Sequence, residues 1–215
     1  MITATLPCSG KFLVVDIGKR VDKHITFING TRAFTLSEAV FGVAKGYRSV
    51  VGLTIGTGTG TGGGLTCNGV LLNDGTGMGG NFSNISAPAL IVKEFNLPIL
   101  RCGCGKLGCI ETLVYGPGMT RIAYALTGQS LSPTEINRRR HSEPHIAKVW
   151  DIWCALLSKL SLIFDCTINP NVVVLGGGVS NMRYLIRDLS CRFLEIQLDG
   201  FSTPKFLRAQ GDGII

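Results

Sequence analysis

Charged residues make up only 16% of the 215 positions, against 45% hydrophobic ones. That balance excludes a disordered, charge-solvated chain and sets a globular one. No apolar run reaches the roughly 18–20 residues that a membrane-spanning helix requires, so no membrane partner is expected. Residues 1–11 carry no basic stretch followed by an apolar core, the pattern of an export signal, and a cytoplasmic protein is expected. That setting excludes a disulfide framework as the use of the eight cysteines. Stacking aromatics are absent from the one tight basic run, Arg138-Arg139-Arg140 beside His141, and the other Lys and Arg are scattered. The net charge of +7 therefore predicts no nucleic-acid partner, and the run reads as a solvated helix end or loop.

What the chain has in excess is glycine, 29 residues, concentrated rather than spread. Its length suits one good core or two small ones. His24–Ile28 is a β-type stretch ending at Asn29-Gly30, and 31–44 has the apolar spacing of an amphipathic helix through Phe34, Leu36, Val40, Phe41 and Val43. Strands are expected over 49–55 and 65–72, joined as a hairpin by Gly56–Gly64. A short helix is expected over 88–95 and longer ones over 110–126, 144–164 and 182–193. The continuous apolar run 171–175, ending in Gly176-Gly177-Gly178, has the pattern of a buried strand feeding a tight turn. The fold class is α/β.

Two segments carry chemistry. In Gly56-Thr57-Gly58-Thr59-Gly60-Thr61-Gly62-Gly63-Gly64, repeated glycine lets backbone N–H groups approach an anion, and threonine hydroxyls add donors. No Gly-Lys-Ser/Thr follows and no helix opens after it, which excludes a Walker loop and a dinucleotide turn. A phosphate-holding hairpin and a low-complexity hairpin tip both remain open from these residues. The second segment is Cys102-Gly-Cys104-Gly-Lys-Leu-Gly-Cys109-Ile-Glu111. Three thiolates at this spacing can close on Zn²⁺, the glycines permit the sharp turns, and no fourth ligand is supplied locally. The isolated Cys8, Cys67, Cys154, Cys166 and Cys191 read as small core residues.

The cysteine segment resembles the signature of the ROK family of repressors, open reading frames and sugar kinases. The likeness extends along nearly the whole chain: Ser37-Glu38-Ala39, the Gly-Thr-Gly loop, the cysteine segment, and Asn169-Pro170 running into Val172–Asn181. Leu6-Pro7 before Ser9-Gly10-Lys11, and Leu97-Pro98, are similar to the N-acetylglucosamine kinase branch, with the fructokinase branch next. The resemblance implies an actin/hexokinase-like (ribonuclease H-like) fold. It implies transfer of the ATP γ-phosphoryl, with Mg²⁺, to O6 of N-acetylglucosamine or a related hexose, an Asp acting as base on the hydroxyl. It further implies sugar contacts from Asn29, Asn81, Asn84 and Glu111, and nucleotide contacts from Gly56, Thr57, Gly58, Thr61, Gly62, Gly176, Gly177 and Gly178. Cys102, Cys104 and Cys109 would hold a structural Zn²⁺, and a homodimer is implied.

The chain also departs from the pattern it resembles. Nothing reproduces the family's opening Asp-x-Gly-Gly-Thr; Asp16-Ile17-Gly18 is followed by Lys19-Arg20 and is similar to a helix instead. The base position falls on Gly30, and Arg32, where a small polar residue is usual, reads as a solvated surface residue. Gly80-Asn81-Phe82-Ser83-Asn84 stands where a Glu and a zinc-ligating, sugar-contacting His are usual, and His141 or His145 would have to replace the latter as fourth ligand. The hairpin carries an extra Thr-Gly pair. Most of the N-terminal lobe is expected to be missing, with residues 1–46 its remnant and 47–215 a C-terminal lobe truncated at its end. No helix-turn-helix pattern precedes the kinase-like part, which disfavours the repressor branch. The expectation is a kinase by descent, inactive or weakly active, prone to dimerise through uncovered apolar surface; a zinc-stabilised sugar-binding or regulatory module is the alternative.

Overall fold

The computed structural model describes residues 12–25, 28–58, 60–72 and 78–210. Of the residues read above, Cys8 with the rest of 6–11, Thr26, Phe27 and Thr59 lie outside them.

The strands β1 (Ser49–Ile55), β2 (Thr61–Cys67), β3 (Val70–Leu71), β4 (Val172–Gly176) and β5 (Lys205–Arg208) form one five-stranded sheet among the described residues, in the order β3-β2-β1-β4-β5. β1, β2 and β3 run antiparallel, and β4 joins β1 in parallel, pairing Val50 with Val172 and Thr54 with Gly176. β5 adds to β4 in parallel. Every residue of β4 is buried, as a central parallel strand covered on both faces demands. The period of two then sorts the side chains: Val51, Leu53, Ile55, Val173 and Leu175 enter the larger core, while Val50, Val172 and Val174 enter the smaller one.

Helix α1 spans Leu13–Val21, so Asp16-Ile17-Gly18 is helical as expected, and the helix buries none of its residues. Asn29 caps α2 (Gly30–Val40), which supplies Phe34 and Ala39 to the smaller core. The larger core is closed by α3 (Ala89–Glu94), α4 (Glu111–Val114), α5 (Gly116–Thr127), α6 (Pro133–Arg139), α7 (Pro144–Ile168) and α8 (Leu185–Leu194). α7 buries Trp150, Trp153 and Phe164 on more than one face, and the Trp153 Nε1–H donates to Val114 O at 2.9 Å, pinning α7 to α4. None of the helices is long and apolar enough to cross a membrane, among the described residues.

Several expectations are corrected. Residues 24, 25, 28 and 29 form no strand; Asn29 is taken up as the N-cap of α2, its side chain accepting from the Thr31 N–H. The strand expected at 65 begins at Thr61, so Gly62, Gly63 and Gly64 lie inside the sheet. The reason is close packing: a Cβ on Gly64 would lie 2.5 Å from Thr35 Oγ1, and one on Gly52 opposite it 2.2 Å away. Bare backbone admits α2 onto the sheet there. The helix expected over 110–126 breaks at Tyr115, extended at ψ 176°, where the Gly116 N–H turns to Gly56 O at 2.9 Å and Pro117 starts a new helix. α6 and β5 were not expected, although Ser132 and Glu135 form a reciprocal capping box that Ser-Pro-Thr-Glu announces. Arg32 is 5% exposed, not solvated, and donates to Leu72 O at 2.6 Å. Cys166 and Cys191 are exposed, whereas Cys154 is core.

The basic run is only partly a solvated end. Arg139 pairs with Glu143 at 2.6 Å, but Arg140 stacks over Trp150 at 3.9 Å and pairs with Asp188 at 2.7 Å. Burial pulls the Asp188 carboxyl upward, but the hydrogen bonds and charges of Arg187 and Arg140 outweigh it and hold the group below its ordinary value. A depressed folded value means the network contributes fully above the unfolded carboxyl's pKa of about 4 and is lost as pH falls through the folded one. Asp188→Asn is therefore expected to lower the thermal midpoint at neutral pH, with the difference from the unsubstituted chain narrowing below about pH 4. Melting curves across pH check this; a constant difference would contradict it.

Candidate functional site

Four segments meet at one end of β1. The first is the hairpin between β1 and β2, whose connection is Gly56–Gly60 rather than the longer run read from sequence. Gly60 takes φ +99° and offers its carbonyl to the Gly56 N–H at 2.9 Å, a left-handed turn suited to glycine. Thr57 and Gly58 are exposed at the tip. Thr61 and Gly62 have passed into β2, where a Cβ on Gly62 would lie 2.6 Å from Thr31 Cγ2; that glycine faces α2.

The second segment is the glycine triplet ending β4. A Cβ on Gly177 would stand 2.5 Å from Ile55 O, and one on Gly178 2.6 Å from Thr57 Cγ2. The turn therefore lies directly against the base of the hairpin. The third is the start of α2. Asn29 Oδ1 accepts from the Thr31 N–H at 2.9 Å, and the Thr31 hydroxyl lies 2.7 Å from Asn29 Oδ1 and 3.0 Å from Gly63 O. Asn29 thus serves as helix cap, and Thr31, which the sequence reading passed over, ties the cap to β2. An Asx residue two positions before a threonine was the signal available. Gly30 is exposed, and a Cβ built on it meets nothing within 4 Å.

The fourth is the cysteine segment with Glu111. One Glu111 oxygen, Oε1, accepts from the Thr61 N–H at 3.3 Å, and the other accepts from Cys102 Sγ at 2.9 Å. Glu111 therefore bridges the cysteines and the glycine hairpin. The Gly80–Asn84 strip lies alongside: Ser83 Oγ donates to Thr61 O at 2.5 Å, and Asn84 Nδ2 lies 3.9 Å from Cys102 Sγ. Asn81 is turned aside, its amide against Met78 Sδ at 3.7 Å. Ser83 was another missed contributor, hidden because an isolated serine carries no pattern.

The three expected cysteines do converge, their sulfurs all within 4.8 Å of one another. Cys102 and Cys109 are buried and Cys104 is exposed. Burial pushes the Cys102 thiol well up, and Glu111 beside it adds to that; burial also raises Cys109. Cys104 is lowered, chiefly by the Lys106 backbone N–H aimed at its sulfur. Three sulfurs fit a thiophilic metal. His141 packs edge-on against Tyr184 at 5.9 Å, and neither it nor His145 joins the cluster; the side chains beside the sulfurs are Glu111 and Asn84.

The ROK family model matches residues 3–212. The chain is 32% identical over 208 residues to an N-acetylgalactosamine kinase of Shewanella sp. (strain ANA-3), covering 96% of this chain and 67% of that protein. It is 32% identical over 218 residues to an N-acetyl-D-glucosamine kinase of Pectobacterium atrosepticum, covering 98% and 70%. Among solved structures, a ROK hexokinase from Thermus thermophilus superposes with a TM-score of 0.78 at 25% identity, over 92% of this chain and 64% of that one. A ROK family glucokinase from Streptomyces griseus, solved with glucose and AMPPNP, gives 0.79 at 21% identity over 97% and 70%. The chain thus spans about two thirds of the length of the proteins it resembles, and the fold is that of the ROK hexokinases, the actin/hexokinase-like class.

Proposed function

This chain belongs to the ROK family, and from that premise we propose that it is an N-acetylhexosamine kinase by descent which keeps the ligand-holding surfaces and has lost the base. The observation that carries the reading is the position of Glu111, joined through one oxygen to the hairpin and through the other to the cysteines. A carboxylate in that place accepts hydrogen bonds from sugar hydroxyls, and hydrogen bonds to charged groups are the strong ones. Tip residues Thr57 and Gly58 offer hydroxyl and backbone N–H to phosphates, and Gly177 and Gly178 border the adenosine; Gly176, expected to join them, is buried in β4 beneath the Phe34 ring. ATP, with Mg²⁺, supplies the phosphoryl group.

The chemistry needs a base to take the proton from the attacking hydroxyl. At Gly30 no side chain can, and the one other carboxylate among the described residues of the four segments, Glu111, is assigned here to holding the sugar. Phosphoryl transfer by this chain is accordingly slow or absent. The boundary expected at residue 46 moves forward in this reading: α2 packs into the smaller core with Val50, Val172 and Val174 through Phe34 and Ala39, so it goes with the second lobe, and α1 is left as the described remnant of the first. The exposed Phe12, Phe41, Val70 and Met78 favour an assembly that covers them, as a homodimer would.

Glu111→Gln is expected to weaken N-acetylglucosamine binding on the order of ten- to hundredfold, the worth of a charge-assisted hydrogen bond. Calorimetry with the sugar alone checks this; unchanged affinity would remove Glu111 from the site. A second reading, a sugar-binding or regulatory module without catalysis, is favoured by the open space at Gly30. It is distinguished by sugar binding that persists with no nucleotide turnover.

A further inference from the structure

We propose that the cysteine cluster is an open three-sulfur site for a thiophilic ion, with no protein donor in a fourth position among the described residues. This does not depend on the phosphotransfer reading; it needs only three converging thiols and the lack of a fourth ligand.

Backbone hydrogen bonds and tight turns arrange the sulfurs. The Cys102 N–H donates to Lys106 O at 2.8 Å and the Gly105 N–H to Cys102 O at 2.9 Å. Gly105 and Gly108 take φ +86° and +73°, turns that residues with a Cβ resist. Cys104 and Cys109 lie with sulfurs 3.6 Å apart, and Cys104 opens the cluster to solvent while its two partners are buried. Among the described residues, no further Cys, His, Asp or Glu joins the group.

Two polar side chains border it, and neither completes it. Glu111 reaches only Cys102 and is drawn away by the Thr61 N–H. Asn84 presents its amide nitrogen to Cys102 Sγ at 3.9 Å; an amide NH₂ is a donor and binds no cation, and its oxygen is a hard ligand ill matched to ions that thiolates select. A closed structural zinc takes four N or S ligands, and a site with three keeps an exchangeable position. The cluster therefore suits zinc held loosely, and suits better an ion that is satisfied by three sulfurs. Trivalent arsenic is such an ion: As(OH)₃ and three thiols give three As–S bonds and three waters, with no change of oxidation state.

The test uses the whole chain, reduced and metal-free, titrated with arsenite, Zn²⁺ and Co²⁺. Intact mass is expected to show one arsenic bound with three thiol hydrogens lost, and Cys104→Ser to abolish this while tryptophan emission is unchanged. Asn84→His, which sets an imidazole beside the sulfurs, is expected to raise zinc affinity in chelator competition at least about tenfold, the lower end of what even an outer-shell partner contributes. It should also shift the Co²⁺ absorption to that of a closed tetrahedral site. The proposal is overturned if the unsubstituted chain already holds zinc as tightly as Asn84→His, or if arsenite fails to take up the three thiols.

Discussion

Gly30→Asp is expected to raise the rate of ADP formation with N-acetylglucosamine about 10²- to 10⁴-fold over the unsubstituted chain, the usual worth of a positioned base. The site can accept the change. Gly30 is the first residue of α2, its φ is not in the left-handed region, and a Cβ there meets nothing within 4 Å. A carboxylate at the first turn of a helix is stabilised by the backbone dipole, by about 0.3–1 kcal/mol when exposed. The same field keeps it ionised, as a base must be. Folding should therefore be unharmed or slightly improved, so that a gain in rate is not a gain in folded protein. Gly30→Asn supplies the control: equal bulk, the same helix position, no basicity. If the Asp and Asn variants show equal rates, the missing carboxylate is not what limits this chain.

Gly177→Ala is expected to destabilise the fold by about 2–6 kcal/mol, summing backbone strain of about 1–3 and overpacking of about 1–3. Gly177 takes φ +81° and ψ +167°, a region open essentially to glycine alone. Its added Cβ would lie 2.5, 2.8 and 3.0 Å from the O, C and N atoms of Ile55. Those are backbone atoms of a central strand, which has no freedom to give way. Because the turn leans on the hairpin base, the same substitution should weaken nucleotide binding. Gly58→Ala, at an exposed tip where a Cβ meets nothing within 4 Å, should change stability little. Chemical denaturation compares the two; a loss below about 0.5 kcal/mol for Gly177→Ala, the range of an ordinary surface change, would show that the turn is not held as described.

How much of this was legible beforehand depended on whether the signal was local. β1 and β4 were read to within a residue, because a buried strand must be a short apolar run and nothing else competes for that pattern. α7 was read for the same reason, its length and apolar faces leaving no other element. Glycine misled where it served packing rather than turning. Gly62–Gly64 look like loop, yet they are strand: Thr31, Arg32 and Thr35 of α2 come close enough to exclude a side chain at Gly62 and Gly64, and Gly80 O and the Phe82 ring do so at Gly63, neighbours that lie well away in sequence. Arg32 misled for a related reason: its burial depends on a carbonyl, Leu72 O, that only the fold brings near. His24, Ile25 and Ile28 are β-type residues outside every described strand, and the chain there leads into the cap of α2 at Asn29. Of the site, the three cysteines and Glu111 were legible from one ten-residue stretch. The bridging role of Glu111, the cap at Asn29 and the contribution of Ser83 were not, since each depends on a partner from another segment.

The most direct measurement follows the purified chain with ATP, Mg²⁺ and N-acetylglucosamine, reading sugar binding by calorimetry and sugar phosphate by mass spectrometry in the same samples. A saturable heat of sugar binding with sugar phosphate at background is the predicted result. Turnover at the rate of an ordinary kinase, about 1–100 per second, would contradict it, because a cleft without a base would then be doing what the base is for.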